Sequence, residues 1–437
     1  MTELIHKQSG PCVKSELDLF RVPPTQTAIE DSQHIEHRPL STVTDTGPVE
    51  FFVSSSDVEY IDPSDTYLYV KLRVLNGDGT NLANDPPVGP ENLLLHTLWS
   101  QIDLSLNETI ITNSNNTYSY RAYLETLLSY GTDAKNTHLQ AAMWYKDRAG
   151  QMEAAPADNH GLRDRRRLIN QSRSVELMGR LHLDFFQQEK LLVNGVSMKL
   201  RLVRSRDAFS LHSLQGGADF KINIEDISLF VRKVKINPSI QMAHLQTLQH
   251  ANIKYPLKRV VTKVFAVPQG ALQINKENLF LGQLPTRLVI GLTVNHAFHG
   301  SYEHNPFNFQ HFNMNYICLN VGGRSIPAKP LTPNFGLNLY ARSYLALCEG
   351  VGKALTDEGN NISYADFGGG FTLFAFDLTA DQSGDAEHAQ LIKQGTMRLE
   401  IHFAQALADT INIVAHAEFQ NLLEVDKHRN ILVDFTN

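Results

Sequence analysis

The sequence predicts an all-β chain: two tandem eight-stranded antiparallel sandwiches with short helical insertions. Three observations carry the prediction. Runs of period-two hydrophobicity, bounded by Gly, Pro, Asn or Asp, recur along the whole chain. One short pattern occurs in each half, at Leu191-Leu192-Val193-Asn194-Gly195-Val196-Ser197-Met198-Lys199-Leu200 and at Leu391-Ile392-Lys393-Gln394-Gly395-Thr396-Met397-Arg398-Leu399. Each copy has an aliphatic pair, a Gly turn and Ser/Thr-Met-basic-Leu, and each precedes the last Ile-rich strand of its half. Between the copies lies Ala251–Gly270, where a polar connector gives way to a Pro-led strand. Two such strand sets predict jelly-rolls in tandem, with this stretch as their seam.

Residues 1–47 have no sustained periodicity and are expected to form an arm. Leu17, Leu19, Phe20 and Val22 fit an arm lying on a neighbour better than a free tail. The expected division is this arm, a first jelly-roll over 48–240, a connector over 241–250 and a second jelly-roll over 251–437. The first strand expected is Val49–Val53. The clearest alternation of the first half is Thr66–Leu75, with Leu68, Val70, Leu72 and Val74 on one side. A turn at Asn76-Gly77-Asp78-Gly79 ends it. A helical turn is expected over Leu93–Leu98, and a hairpin joins Gln101–Leu106 to Thr109–Thr112. Tyr120, Leu124, Leu127 and Leu128 have helical spacing, so 118–130 reads as a helix stopped near Gly131, with a second short one over 136–145. A polar loop is expected over 147–172. Strands follow at Ser174–Asp184, Val196–Val203 and Phe220–Ile236.

In the seam, Pro256 sets the entry and Leu257–Ala266 reads as a strand closed by Pro268-Gln269-Gly270. Its apolar face is expected to seat the second sandwich, with Arg259 and Lys263 towards the first sandwich or a subunit contact. Strands then fall at Arg287–Val294, Phe312–Val321, Phe371–Leu378, Thr396–Phe403 and Ile411–Phe419. The composition of Arg287–Val294 predicts burial on both faces. A helix is expected over Leu337–Leu347, a Pro-rich loop over 325–335, and an apolar tail at Ile431–Phe435.

Composition bounds the function. Charged residues make up 19% of the 437 and hydrophobic ones 42%. The charge fraction is below the ~25% usual for soluble domains, which fits surface buried against other subunits or polar loops rich in Asn, Ser and Thr. A net charge of −7 does not suit a nucleic-acid binder, which needs a phosphate-neutralising surface. Cys12, Cys318 and Cys348 are odd in number and far apart, which argues against a disulfide scaffold and for a reducing compartment. The first 26 residues lack the apolar segment of a signal peptide, and no run reaches the ~18 apolar residues of a membrane helix.

No motif specifies chemistry. His296, His299, His304 and His311 fit no zinc spacing, so no metal or cofactor is expected. Gly368-Gly369-Gly370 lacks the Lys-Ser/Thr of a phosphate loop. The carboxylates Glu225, Asp226, Asp377, Asp381 and Asp385 form no pair beside a nucleophile. Arg163, Arg165, Arg166 and Arg167 read either as a solvated charge run or as a patch for a packaged polyanion, without sequence readout. Phe307 and Phe309 suit sandwich core or a subunit interface better than a sugar-stacking platform.

The seam stretch Tyr255-Pro256-Leu257-Lys258-Arg259-Val260-Val261 resembles the Asn-His-Pro-Val-Lys-Glu-Leu-Ile-Trp motif that opens the second jelly-roll in major capsid proteins of large double-stranded DNA viruses. Tyr255 stands for its His and Arg259 for its Glu, and the Trp is absent. Longer stretches resemble the major capsid (hexon-type) protein of Polinton/Maverick elements and adintoviruses. Among them are Lys14-Ser15-Glu16-Leu17-Asp18-Leu19-Phe20, Tyr120-Arg121-Ala122-Tyr123-Leu124-Glu125-Thr126-Leu127-Leu128, Asn278-Leu279-Phe280-Leu281-Gly282-Gln283-Leu284-Pro285 and Asn305-Pro306-Phe307-Asn308-Phe309. This resemblance implies a double jelly-roll, a pseudo-hexagonal homotrimer, and trimers tiling an icosahedral shell around a DNA genome. It further implies neighbouring capsomers and a single jelly-roll penton protein as partners, synthesis in the host cytoplasm and a place in the virion. It implies no reaction. The leading alternative is a lectin-like jelly-roll that binds glycan or receptor; a cupin-like enzyme would need a His/Glu metal set inside one sandwich.

Overall fold

A computed structural model describes residues 6–44, 47–112, 115–217, 219–384 and 388–433. Sixteen principal strands fall into two sets of eight. The first set is β1 (Ile29–His37), β2 (Val49–Val53), β3 (Glu59–Asn76), β4 (Trp99–Leu106), β5 (Thr109–Thr112), β6 (Val175–Arg180), β7 (Met198–Arg204) and β8 (Phe220–Ile236). The second is β9 (Ile253–Val267), β10 (Gln273–Lys276), β11 (Arg287–Val294), β12 (Met314–Val321), β13 (Arg324–Leu331), β14 (Leu373–Asp377), β15 (Met397–Phe403) and β16 (Ile411–Val425). The first sandwich pairs as β1-β8-β3-β6 and β2-β7-β4-β5; the second pairs as β9-β16-β11-β14 and β10-β15-β12-β13. Adding eight to each strand of the first half gives the second. The repeated Met-basic-Leu pattern opens β7 and β15, which are equivalent strands.

Local chemistry explains these elements. Leu68, Val70, Leu72 and Val74 of β3 are fully buried, while the residues between them are partly open. β11 lies between β16 and β14 and is buried along nearly its whole length, as its apolar composition predicts. Gly291 within it has no room for a side chain: a Cβ would lie 2.5 Å from Phe309 Cδ1. Pro256 falls inside β9 rather than before it. β9 is an edge strand, where a missing N–H costs no ladder bond.

The expectations need correction where polar sequence folds regularly. The arm expected over 1–47 contains β1, so the first sandwich begins at Ile29 rather than 48. Its sequence Ile-Glu-Asp-Ser-Gln-His-Ile-Glu-His has no alternation because it is a mostly exposed edge strand. β3 starts at Glu59, ahead of the Thr66 expected, and carries Asp62–Asp65 through a register shift opposite Val231/Arg232. The polar connector over 241–250 is mostly the helix Pro238–Leu248, with Pro at its first position and the Asn237 side chain accepting from Ser239 N–H. The loop over 147–172 contains the helix His160–Leu168, capped by Asn159. The Pro-rich segment over 325–335 is largely β13, again an edge strand. The helix expected over Leu337–Leu347 runs instead over Ala341–Gly350. β16 runs on to Val425, and Ile431–Val433 pairs with it. Asp385 and the last residues of the expected tail, Asp434 and Phe435, lie outside the described residues.

Candidate functional site: the seam and the outer surfaces

The helix expected near residue 118 is Tyr118–Ser129, called α1 below, and it brings charge into the contact between the sandwiches. Arg121 Nη1 donates to Asp184 Oδ1 at 2.8 Å, and its Nε donates to Glu125 Oε1 at 2.7 Å. The other Glu125 oxygen lies 2.6 Å from His182 Nδ1. Asp184 Oδ1 also accepts the Val260 N–H at 3.0 Å, so the network reaches β9 of the second sandwich. Thr117 Oγ1 donates to the Thr262 carbonyl at 3.2 Å, and the Thr262 hydroxyl lies 3.1 Å from His416 Nδ1.

Burial shapes the protonation of these groups. It would raise the Glu125 carboxyl, but Arg121 and the His182 hydrogen bond outweigh it and hold the group far below the usual carboxylate range. Asp184 is also paired with Arg121, yet burial outweighs the pairing and leaves it raised. Burial lowers the His416 imidazole to about 4. Lys135, 1% exposed, donates to the carbonyls of Leu127 and Asn360, each at 2.7 Å. Its burial, reinforced by Lys146 and Lys353, lowers it to about 7.

Aromatic packing forms the second half of the seam. Phe307 stacks on Tyr123 of α1, with ring centroids 4.0 Å apart and planes 2° from parallel. Phe309 packs against Tyr120 in the same cluster. Both phenylalanines are buried inside the chain, so of their two expected places they take the core and not a subunit interface: they join the two sandwiches of one chain. Phe307→Ala is expected to cost about 3–5 kcal/mol, as for a buried aromatic left as a cavity. Denaturant unfolding would read this as a lower midpoint, and an unchanged midpoint would show that the stack does not hold the seam. Alongside, the Gly150 N–H donates to the Gly369 carbonyl at 2.6 Å, and a Cβ on Gly369 would come within 2.9 Å of Ala149 Cβ. Gly369 thus serves close backbone approach, its neighbours Gly368 and Gly370 leave room for the Tyr340, Asn308 and Met152 side chains, and Lys146 completes the joint on Asp366 at 2.7 Å.

The remaining residues singled out in the sequence are scattered. The Arg259 guanidinium stands 4.8 Å from the centre of the Phe419 ring, and Lys263 Nζ stands 4.7 Å from that of Phe280. Both rings belong to the second sandwich, so each cation lies over an aromatic ring of its own sandwich, while Asp184 of the first sandwich also acts on Arg259 electrostatically. Leu17, Leu19 and Phe20 are exposed, Phe20 at 97%. The arginine run is not one patch. Arg165 is fully buried, with Nη2 2.7 Å from Asp147 Oδ1, so it is removed from any polyanion. Arg166 is mostly buried and pairs with Asp85. Arg163 and Arg167 face outward, and both pair with Asp164.

His311 stacks on Phe335, and His304 lies 3.5 Å from Glu153. Among the described residues no group of three or more His, Cys, Asp or Glu side chains is placed to hold a metal. A cleft of about 650 Å³ between the sandwiches is lined by Gly368–Gly370, Gln310, His311 and Glu153 among others, and Glu153 is the single carboxylate among its described lining. No helix among the described residues is long and apolar enough to cross a membrane.

Sequence reasoning missed the buried network. One signal was available: Arg121 and Glu125 stand four apart in an otherwise apolar helix, the spacing of an intrahelical ion pair. Nothing marked Asp184 or Val260 as their partners, because those contacts span 63 and 76 residues.

Two sandwiches of identical strand order, side by side in one chain, define a double jelly-roll, the fold of viral major capsid proteins. No family model matches the chain. It is similar to the Caenorhabditis elegans protein named Uncharacterized protein F54H12.2, at 24% identity over 427 residues, covering 94% of this chain and 99% of the relative. A structure of the Sputnik virophage solved by cryo-EM superposes with a TM-score of 0.64 at 10% identity, over 98% of this chain and 93% of that one. The crystal structure of the mavirus major capsid protein gives a TM-score of 0.54 at 11% identity, over 100% and 97%.

Proposed function

We propose that this chain is a major capsid protein whose work is assembly rather than catalysis. The observation that carries the reading is the internal repeat: each chain supplies two sandwiches of the same strand order, fixed side by side by a buried seam. Three chains would then present six similar sandwiches as a pseudo-hexagonal block, and such blocks would tile an icosahedral shell around double-stranded DNA. The exposed apolar arm at Leu17, Leu19 and Phe20 supports burial against a neighbour. The structural likeness to virophage capsid proteins supports the same reading, and a similar chain in a nematode supports a Polinton/Maverick or adintovirus origin. In this reading the partners are neighbouring capsomers and a single jelly-roll penton protein, and the place of action is the virion.

The outward Arg163 and Arg167, each already paired with Asp164, leave little charge for DNA, so contact with the genome would be weak and without sequence preference. The rival lectin-like reading predicts measurable glycan binding by the isolated protein. Expression of the full chain, followed by mass measurement in solution and electron microscopy, tests the proposal. Trimers or shells are expected; a strict monomer at high concentration overturns it.

A further inference from the structure

The two sandwiches repeat each other, so the cover over a surface in one identifies what is missing from the other. The segment before β7, residues 190–194, is covered by the second sandwich. Tyr255 Oη donates to the Leu191 carbonyl at 3.1 Å and accepts the Val193 N–H at 3.0 Å. Lys190 Nζ donates to the Lys254 carbonyl at 2.9 Å, and Arg429 Nη2 donates to Asn194 Oδ1 at 2.8 Å. Leu192 is fully buried there.

The equivalent segment before β15, residues 390–394, keeps the aliphatic pair but not the cover. Leu391 is 83% exposed and Ile392 64%. The neighbouring segment is tied to it by Leu284 N–H donating to the Lys393 carbonyl at 2.7 Å, and it adds the exposed Leu281. In the first sandwich the covering element is β9. By the shift of eight, the counterpart of β9 is β1, an edge strand held on β8 of its own chain and mostly exposed. The exposed apolar arm leads directly into it.

We propose that a second copy of this chain lays its β1 edge and arm on the Leu281–Leu391–Ile392 surface, repeating between chains the contact that β9 makes within one. This rests on the shell-subunit reading and names its surface. The contact is heterologous, one face of each copy meeting a different face of the next, so it propagates around a ring. Among the described residues both halves of this surface are left exposed, whereas the seam already covers the equivalent halves.

Two measurements on the full-length chain test this. The first is sedimentation velocity of Leu391→Glu/Ile392→Glu beside the natural protein. The expected result is a trimer for the natural chain and a folded monomer for the variant, with unchanged far-ultraviolet circular dichroism, since both residues are exposed on the single chain. The second holds even where that variant fails to fold. Gln33→Cys chains are mixed with Ile392→Cys chains, both carrying Cys12→Ser, and treated with a bis-maleimide. Cross-linked dimers are expected only in the mixture. A variant that remains trimeric, or a trimer that does not cross-link in the mixture, overturns this surface and leaves the shell reading standing. A natural chain that stays monomeric overturns both.

Discussion

Arg121→Ala is expected to destabilise the fold by about 3–5 kcal/mol, the cost of leaving buried charges uncompensated. Both Asp184 and Glu125 depend on this guanidinium, and the side chains of all three are nearly enclosed. The useful comparison is Arg38→Ala. Arg38 also joins two carboxylates, Glu36 and Asp226, but at the surface, where such pairs contribute about 0–1 kcal/mol. Urea unfolding of the two variants side by side checks the claim. Equal losses would mean that the Arg121 network is not what fixes α1 between the sandwiches.

The second large effect is on acid stability. His416 titrates near 4 in the fold, against ~6.5 for an unfolded chain, so the unfolded state takes up a proton that the native state refuses. Stability from this group is therefore complete above pH ~6.5, falls as pH drops from there towards ~4, and levels off below. A shift of that size amounts to roughly 3 kcal/mol. His96, fully buried beside His182, is lowered in the same direction. His212 is raised by Glu91 against its own burial, so it opposes them, being most stabilising on the acid side. Below the unfolded Glu value of ~4.3, the loss of the depressed Glu125 carboxylate adds a further decline. Denaturant unfolding between pH 7 and pH 4 should show the loss, and His416→Asn should flatten it. A variant with the same pH slope as the natural protein would remove His416 as its cause.

How much of this was legible in the sequence depended on how much of each strand is turned to the core. Strands with one buried face declared themselves through alternation, as in Leu68–Val74, and the fully buried β11 did so through its run of aliphatics. β1 and β13 gave no such signal, because these two edge strands, unlike β2 and β14, are mostly exposed, and polar side chains and prolines are tolerated there. The Gly-Ser/Thr-Met-basic-Leu echo was a better guide than any single element, since it marks equivalent strands β7 and β15. Phe307 and Phe309 could be recognised as buried but not as buried within one chain, because hydrophobicity is the same on both sides of that distinction. The arginine run misled for a related reason: composition does not reveal that one of four neighbouring guanidiniums turns inward to Asp147. The seam stretch was recognisable as a boundary, yet the direction of Arg259 and Lys263 depended on aromatic rings 160 and 17 residues away.

The helix Pro238–Leu248 links the two sandwiches covalently, and this has a consequence for how assembly depends on concentration. A ring of six sandwiches made from separate chains would need six molecules to meet. In the proposed trimer half of those encounters occur within a chain, at an effective concentration fixed by the linker rather than by the cell. The equilibrium yield of rings then scales with the third power of protein concentration instead of the sixth. A shell could start to form at a dilution where single sandwiches would remain apart.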